Sequence, residues 1–202
     1  MMRPPLFGEG QRIGLFGGSF NPAHQGHRAV ALYALKRFEL DWVWWLVAPQ
    51  NPLKDASETG VYNERLAYTR RIAHHPRFAV TDLERQIGSR NTAATLRAMT
   101  PLFQKAHFLW ILGADSFADL HRWHDWLRIP HTVPLAILAR PGYALRALAS
   151  PAAIRFSRSR LRAENPSLLA GSQPPAWLFL AMPLRKESST AIRKRRKSVK
   201  KA

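Results

Sequence analysis

Short apolar runs alternate with helically spaced segments along nearly the whole chain, and that alternation leaves few architectures open. Ile13, Leu15 and Phe16 read as a first strand, and residues 26–38 carry Val30, Leu32, Leu35 and Phe38 at roughly helical spacing. Residues 42–48 are unbroken apolar sequence with three tryptophans, as expected of a strand covered on both faces. A polar loop over 49–60, a helix over 62–74 and a short strand over 78–80 follow. Asn91 or Thr92 is a natural cap for a helix running to Met99. The strand expected over 107–112 ends at Gly113, and a helix is expected over 116–127. A strand over 133–139 closes at Arg140-Pro141-Gly142, and a last strand over 177–182 leads to a short helix over 189–197. Residues 143–175, rich in Arg, Ser and Pro, show no period. Such a rhythm predicts an α/β fold, a single doubly wound parallel sheet with helices on both faces. Ligands of such sheets sit beyond the carboxyl ends of the strands, where the strand order reverses.

The first strand–helix unit carries the strongest chemical signal, Gly17-Gly18-Ser19-Phe20-Asn21-Pro22-Ala23-His24-Gln25-Gly26-His27. Gly17-Gly18 is expected to break the strand into a turn whose backbone can approach a phosphate closely. The helix start behind it offers amide N–H groups and a positive dipole end. His24 and His27, three apart at that start, can face one anion together. No Gly-Lys-Ser/Thr follows, as a P-loop would require, and no G-x-G-x-x-G is present.

Three weaker signals each follow an expected strand. Ser188-Ser189-Thr190-Ala191-Ile192-Arg193 enters the last helix, where hydroxyls, amides and an arginine one turn on could hold a phosphate, although by itself it reads as an ordinary N-cap. Gly113-Ala114-Asp115-Ser116 is by itself an ordinary strand-to-helix turn. Trp123 and Trp126, three apart, read as one face of a helix and so as core. His121 and His124 have helical metal-ligand spacing but no third ligand, so no metal held by protein side chains is expected.

Taken jointly, the first motif resembles the H-x-G-H signature of the nucleotidylyltransferase superfamily. Its Gly-Gly-Ser-Phe-Asn-Pro form is similar to that of the bacterial nicotinate-nucleotide adenylyltransferases. The resemblance runs from about residue 12 to 195 and implies a Rossmann-like fold. The reaction it implies is adenylyl transfer from ATP, with Mg²⁺, to nicotinate mononucleotide, giving deamido-NAD and pyrophosphate without a covalent enzyme intermediate. It assigns ATP to Gly17, Gly18, Ser19, Phe20, His24, His27, Lys54, Gly113, Asp115, Ser188, Ser189 and Arg193, with His24, His27 and Arg193 catalytic. The mononucleotide falls to Asn21, Thr92, Asp115, Ser116, Trp123 and Arg140, with Trp123 stacking on the pyridine ring and Trp126 left in the core. The chain departs from the pattern at Asn91, where the family commonly has an aromatic, and in its basic terminus. A nicotinamide-mononucleotide enzyme or another adenylyl- or cytidylyltransferase stays open as an alternative. More remote is a non-catalytic nucleic-acid-binding protein.

Composition bounds the setting. A chain of 202 residues suits one domain, here with residues 1–11 as an extension and 194–202 as a basic tail. The net charge of +18 calls for anionic partners, and nine Lys or Arg against one Glu over 185–202 would bind polyanions without specificity. There is no cysteine, the first residues lack the apolar stretch of a signal peptide, and no apolar run is long enough to span a bilayer. A cytoplasmic protein without membrane contact is expected, and the sequence is compatible with a homo-oligomer.

Overall fold

The computed structural model describes residues 5, 7–49, 60–89, 91–139, 143–183, 189 and 192. Six strands make one wholly parallel sheet: β1 (Arg12–Gly18), β2 (Trp42–Val47), β3 (Phe78–Thr81), β4 (His107–Gly113), β5 (Leu135–Ala139) and β6 (Trp177–Ala181). Their order is β3-β2-β1-β4-β5-β6. The chain winds outward from β1 to β3, returns across the sheet, and winds outward again from β4. The reversal falls between β1 and β4, which is where the site described below lies.

Each strand sends alternate side chains into two separate core layers. Ile13, Leu15, Trp44, Leu46, Phe108, Trp110 and Ile137 enter one layer. Phe16, Val43, Trp45, Val47, Leu109, Ile111 and Leu138 enter the other. The second layer is covered by α1 (Gln25–Arg37) and α2 (Tyr62–Ile72). The first is covered by α3 (Leu83–Ile87), α4 (Thr92–Met99), α5 (Ala114–Ala118), α6 (Arg128–Thr132), α7 (Ala144–Leu148) and α8 (Pro151–Arg155). Burial on both faces is why the strands read as continuous apolar runs rather than alternating ones. Trp44, Trp45 and Trp110 are fully buried, and their indole N–H groups have no hydrogen-bond partner. Each such orphan donor costs about 1–3 kcal/mol, so the burial of large rings must outweigh it.

Two expectations need correction. Gly17 and Gly18 do not break β1; they are its last two residues, paired with Leu46 and Val47 of β2. No helix spans 116–127 either. It stops after α5, a 3₁₀ turn follows at Leu120–Arg122, Trp123 is extended, and Asp125 takes a left-handed φ of 51° before α6 begins. Trp123 and Trp126 therefore lie on a turn and not on a helix face, and both are partly buried against the first core layer. The intervening Asp, His and Trp residues are middling helix formers, so tertiary packing decides their path. The ring of Trp126 meets Phe156 edge-on at 6.1 Å, and the His121 ring bonds the Ala118 carbonyl at 3.1 Å. The segment 143–175, silent in the sequence, contains α7, α8 and two 3₁₀ turns. Among the described residues no helix is long and apolar enough to cross a membrane.

The two glycines have packing reasons of their own. A Cβ on Gly17 would stand 2.8 Å from the Trp110 indole, and one on Gly18 would stand 3.1 Å from the Phe20 ring. Because Trp110 is held by core on every side, Gly17→Ala should destabilise the fold by about 1–3 kcal/mol, the usual scale of overpacking. Urea denaturation of Gly17→Ala, Trp110→Leu and the double variant tests this: the double variant should recover part of the loss. Additive losses would mean that Trp110 is not what excludes a side chain at Gly17.

Candidate functional site

At the carboxyl end of β1 the chain makes a tight loop and enters α1. Phe20 sits in that loop at φ 42°, a conformation that a bulky residue adopts only when its surroundings impose it. What imposes it is an aromatic cluster: the Phe20 ring lies 5.5 Å from Phe16, 5.1 Å from Trp45 and 5.2 Å from the His27 imidazole. The loop is thereby rigid before any ligand arrives.

His24 is the N-cap of α1, buried and with extended backbone, and His27 is the third residue of the helix. Their rings stack with centroids 3.8 Å apart. The backbone N–H of His24 donates to Nδ1 of His27 at 3.2 Å. An imidazole accepting at Nδ1 carries its proton on Nε2 when neutral, so this backbone bond sets the tautomer in which His27 donates through Nε2. The first turn of α1 holds no acidic residue, which leaves the positive end of the helix dipole uncompensated.

One residue that sequence reasoning passed over ties the strand ends together. Arg65 of α2 is only 4% exposed and has four backbone carbonyls as partners. Its guanidinium donates to Ser19 at 2.6 Å, Pro49 at 2.7 Å, Ala48 at 2.9 Å and Gly60 at 2.9 Å. Desolvation lowers its pKa from the ordinary guanidinium value, and the neighbouring Tyr62 opposes that shift. The Tyr62 hydroxyl, pushed up to about 12 chiefly by its own burial, donates to the Val47 carbonyl at 3.2 Å. The available signal was its place on the apolar side of an amphipathic helix, beside Leu66 and one turn before Thr69.

Of the expected site residues, Asn21 and Ser189 make contacts at the loop after β1. Asn21 Oδ1 accepts from the Gly60 N–H at 3.4 Å, closing the β1 loop onto the segment that leads into α2. Ser189 Oγ donates to the Pro22 carbonyl at 3.0 Å, so Ser189 meets the first motif although 167 positions separate the two residues in the chain. Asn91 caps α4 by accepting from the Ala94 N–H at 2.9 Å, with Thr92 next, half-buried. After β4 the Asp115 carboxylate folds back over Gly113, in the space a side chain there would take, and Ser116 follows in α5. Lys54, Arg140, Ser188 and Arg193 lie outside the described residues. Among the described residues no three His, Asp or Glu side chains come together as a metal site.

Comparison with known proteins places this geometry. The cytidylyltransferase-like family matches residues 15–195. A protein of Roseobacter denitrificans is 48% identical over 184 residues, covering 91% of this chain and 92% of its own length. One of Cereibacter sphaeroides is 50% identical over 181 residues, covering 90% and 96%. Both carry the name "probable nicotinate-nucleotide adenylyltransferase". Plasmodium falciparum nicotinic acid mononucleotide adenylyltransferase, solved complexed with NaAD, superposes with a TM-score of 0.66 at 17% identity over 91% of this chain and 83% of its own, a likeness of fold.

Replacing Arg65 by Lys keeps the charge but offers donors from a single nitrogen, which cannot span carbonyls on three segments. Two orphaned carbonyls at about 1–3 kcal/mol each make a loss of roughly 2–6 kcal/mol expected in chemical denaturation. A loss below about 0.5 kcal/mol, within the range of ordinary surface substitutions, would show that the four bonds are not what holds these loops.

Proposed function

We infer the chemistry of this site from one premise: the chain belongs to the nicotinate-nucleotide adenylyltransferases, within the cytidylyltransferase-like family. The activity is adenylyl transfer from ATP to nicotinate mononucleotide, a step of NAD biosynthesis. In our reading a phosphate oxygen of the mononucleotide attacks the α-phosphorus of ATP in line, and pyrophosphate leaves with the bridging electrons. The nucleophile is already anionic, so no general base is needed. The enzyme's work is to align the two substrates and to stabilise charge on the transferring and leaving phosphates.

The observation that supports this reading best is the Ser189–Pro22 hydrogen bond, which brings Ser189 onto the loop that precedes the histidine pair. Hydroxyl donors, the α1 terminus and two imidazoles then converge on one edge of the sheet, an arrangement suited to a polyphosphate. We assign His27 Nε2–H and His24 to the phosphates, with Arg193 completing the set from outside the described residues. Gly17, Gly18, Ser19 and Phe20 shape the floor, and Lys54, Gly113, Asp115, Ser188 and Ser189 the remainder of the ATP side. Asn21, Thr92, Asp115, Ser116, Trp123 and Arg140 form the mononucleotide side. The half-buried Trp123 keeps an accessible part of its ring for stacking on the pyridine.

Magnesium enters in our reading with ATP and is held by phosphate oxygens and water, in keeping with its reluctance to shed water for an all-protein cage. When bound, the ion neutralises phosphate charge; alignment and donation fall to the residues above. We place the reaction in the cytoplasm, the compartment that supplies ATP, and assign the tail over 194–202 to non-specific polyanion contact.

The direct test is pyrophosphate release with ATP and Mg²⁺, comparing nicotinate mononucleotide, nicotinamide mononucleotide and phosphopantetheine. Nicotinate mononucleotide should have the highest kcat/KM, because a cationic site with buried donors rewards a carboxylate over an amide. Equal values for acid and amide would overturn the assignment of the acceptor while leaving the reaction type intact.

His27→Ala should lower kcat by roughly 10²–10³, the scale for losing one preorganised donor to a developing anion. The fold should survive, since His27 sits in the first turn of a helix and is only half-buried. Retention of more than about a third of the activity by a folded variant would remove His27 from the phosphate site, being far short of that scale.

A further inference from the structure

Behind the mononucleotide side of the edge lies a carboxyl group that the reaction does not use. Glu84 of α3 is 7% exposed, with no basic partner among the described residues, in a pocket shared with Ser89 and Thr95, which are 9% and 0% exposed. Thr95 Oγ1 lies 3.2 Å from Glu84 Oε1, 2.6 Å from Ser89 Oγ and 3.1 Å from the Asn91 carbonyl. The Ser89 N–H also donates to the Glu84 carbonyl at 3.0 Å. These contacts surround the Asn91–Thr92 turn that opens α4. We propose that Glu84 is a positioning residue for that turn, acting through the hydroxyls of Thr95 and Ser89 to set where Thr92 meets the mononucleotide. This rests on the assignment of Thr92 made above.

A count of protons gives the form in which Glu84 works. Thr95 Oγ1 has one proton to give and two lone pairs with which to accept. If the carboxyl is neutral, Glu84 and Ser89 both donate to Thr95, and Thr95 donates to the Asn91 carbonyl, so all three contacts are made at once. If it is ionised, the Thr95 proton must turn to the carboxylate, and the Asn91 carbonyl keeps only the Thr95 backbone N–H at 3.0 Å. The environment favours the neutral form. Burial raises the Glu84 carboxyl from 4.5 to about 7, and the Thr95 bond opposes this only in part. Among the described residues the charged and titratable neighbours are Asp82 and Arg85 beside it and Tyr62 and Arg65 on α2, all grouped around the Tyr62 ring. The adjoining β2 has no titratable side chain, and α4 has only the exposed Arg97.

The sign follows from the raised value. Glu84 is neutral below about pH 7, and the chain of bonds is complete there; above it the carboxyl ionises and the turn loosens. Glu84→Gln keeps an N–H donor in the same place and does not titrate, whereas Glu84→Leu keeps the volume and removes the bond.

The test is steady-state kinetics of the full chain and of Glu84→Gln, Glu84→Leu and Thr92→Val between about pH 6 and pH 8.5, a range that brackets the raised carboxyl. Relative to Glu84→Gln, the wild-type KM for nicotinate mononucleotide should rise about threefold to tenfold across that range, the scale of one hydrogen bond, while KM for ATP runs parallel in the two proteins. Glu84→Leu should raise the mononucleotide KM by a similar factor at every pH. Identical pH profiles for wild type and Glu84→Gln would overturn the proposal, as would Glu84→Leu raising both KM values equally. An unchanged KM in Thr92→Val would instead overturn the assignment of Thr92, and with it the premise of this inference. If Glu84→Leu fails to fold, the isosteric Glu84→Gln comparison still decides.

Discussion

A buried cation, Arg65, organises the edge of the sheet to which we assign the chemistry. Among the described residues Arg65 is removed from water with no carboxylate opposite it, and a guanidinium so placed is tolerable inside a protein only when fixed dipoles replace its hydration. Four carbonyls do so, from the loop after β1, the end of β2 and the segment entering α2. The dependence is mutual. Those carbonyls belong to loop residues that lack strand or helix partners, and Arg65 satisfies them. Its charge adds to the positive potential of the edge to which we assign the two anionic substrates.

That potential has several sources pointing the same way. The α1 dipole, the histidine pair and the overall charge of +18 all favour phosphate, and together they can speed the approach of ATP. Rigidity comes from elsewhere. The aromatic cluster of Phe16, Phe20, Trp45 and His27 holds the β1 loop in a conformation it would not choose alone, and the backbone of His24 holds the tautomer of His27. Preorganised donors of this kind need no rearrangement as charge develops on the phosphates, which is the main route by which such a site lowers a barrier.

The sequence was most legible where information is local. The strand–helix rhythm located all six strands, because a sheet covered on both faces demands continuous apolar runs. The Asn91 cap and the start of α1 could be read from residue types alone. It misled where local signals were ambiguous. Gly17-Gly18 looks like a turn, yet the pair stays in β1, with Trp110 filling the space beside Gly17 and Phe20 the space beside Gly18. Trp123 and Trp126 have helical spacing, yet a turn carries both rings to the core.

What the sequence determined by itself was the class of fold and the family, since each is written in residues that are neighbours along the chain. What only the tertiary structure decided was how that loop is held. Arg65 bonds carbonyls up to 46 positions away, and Glu84 meets Thr95 and Ser89 only because α3 and α4 pack together. A buried arginine or glutamate looks in sequence like any surface charge. Its role exists only once folding has removed the water and supplied partners from distant segments, which is a property of the packed chain and not of any stretch of it.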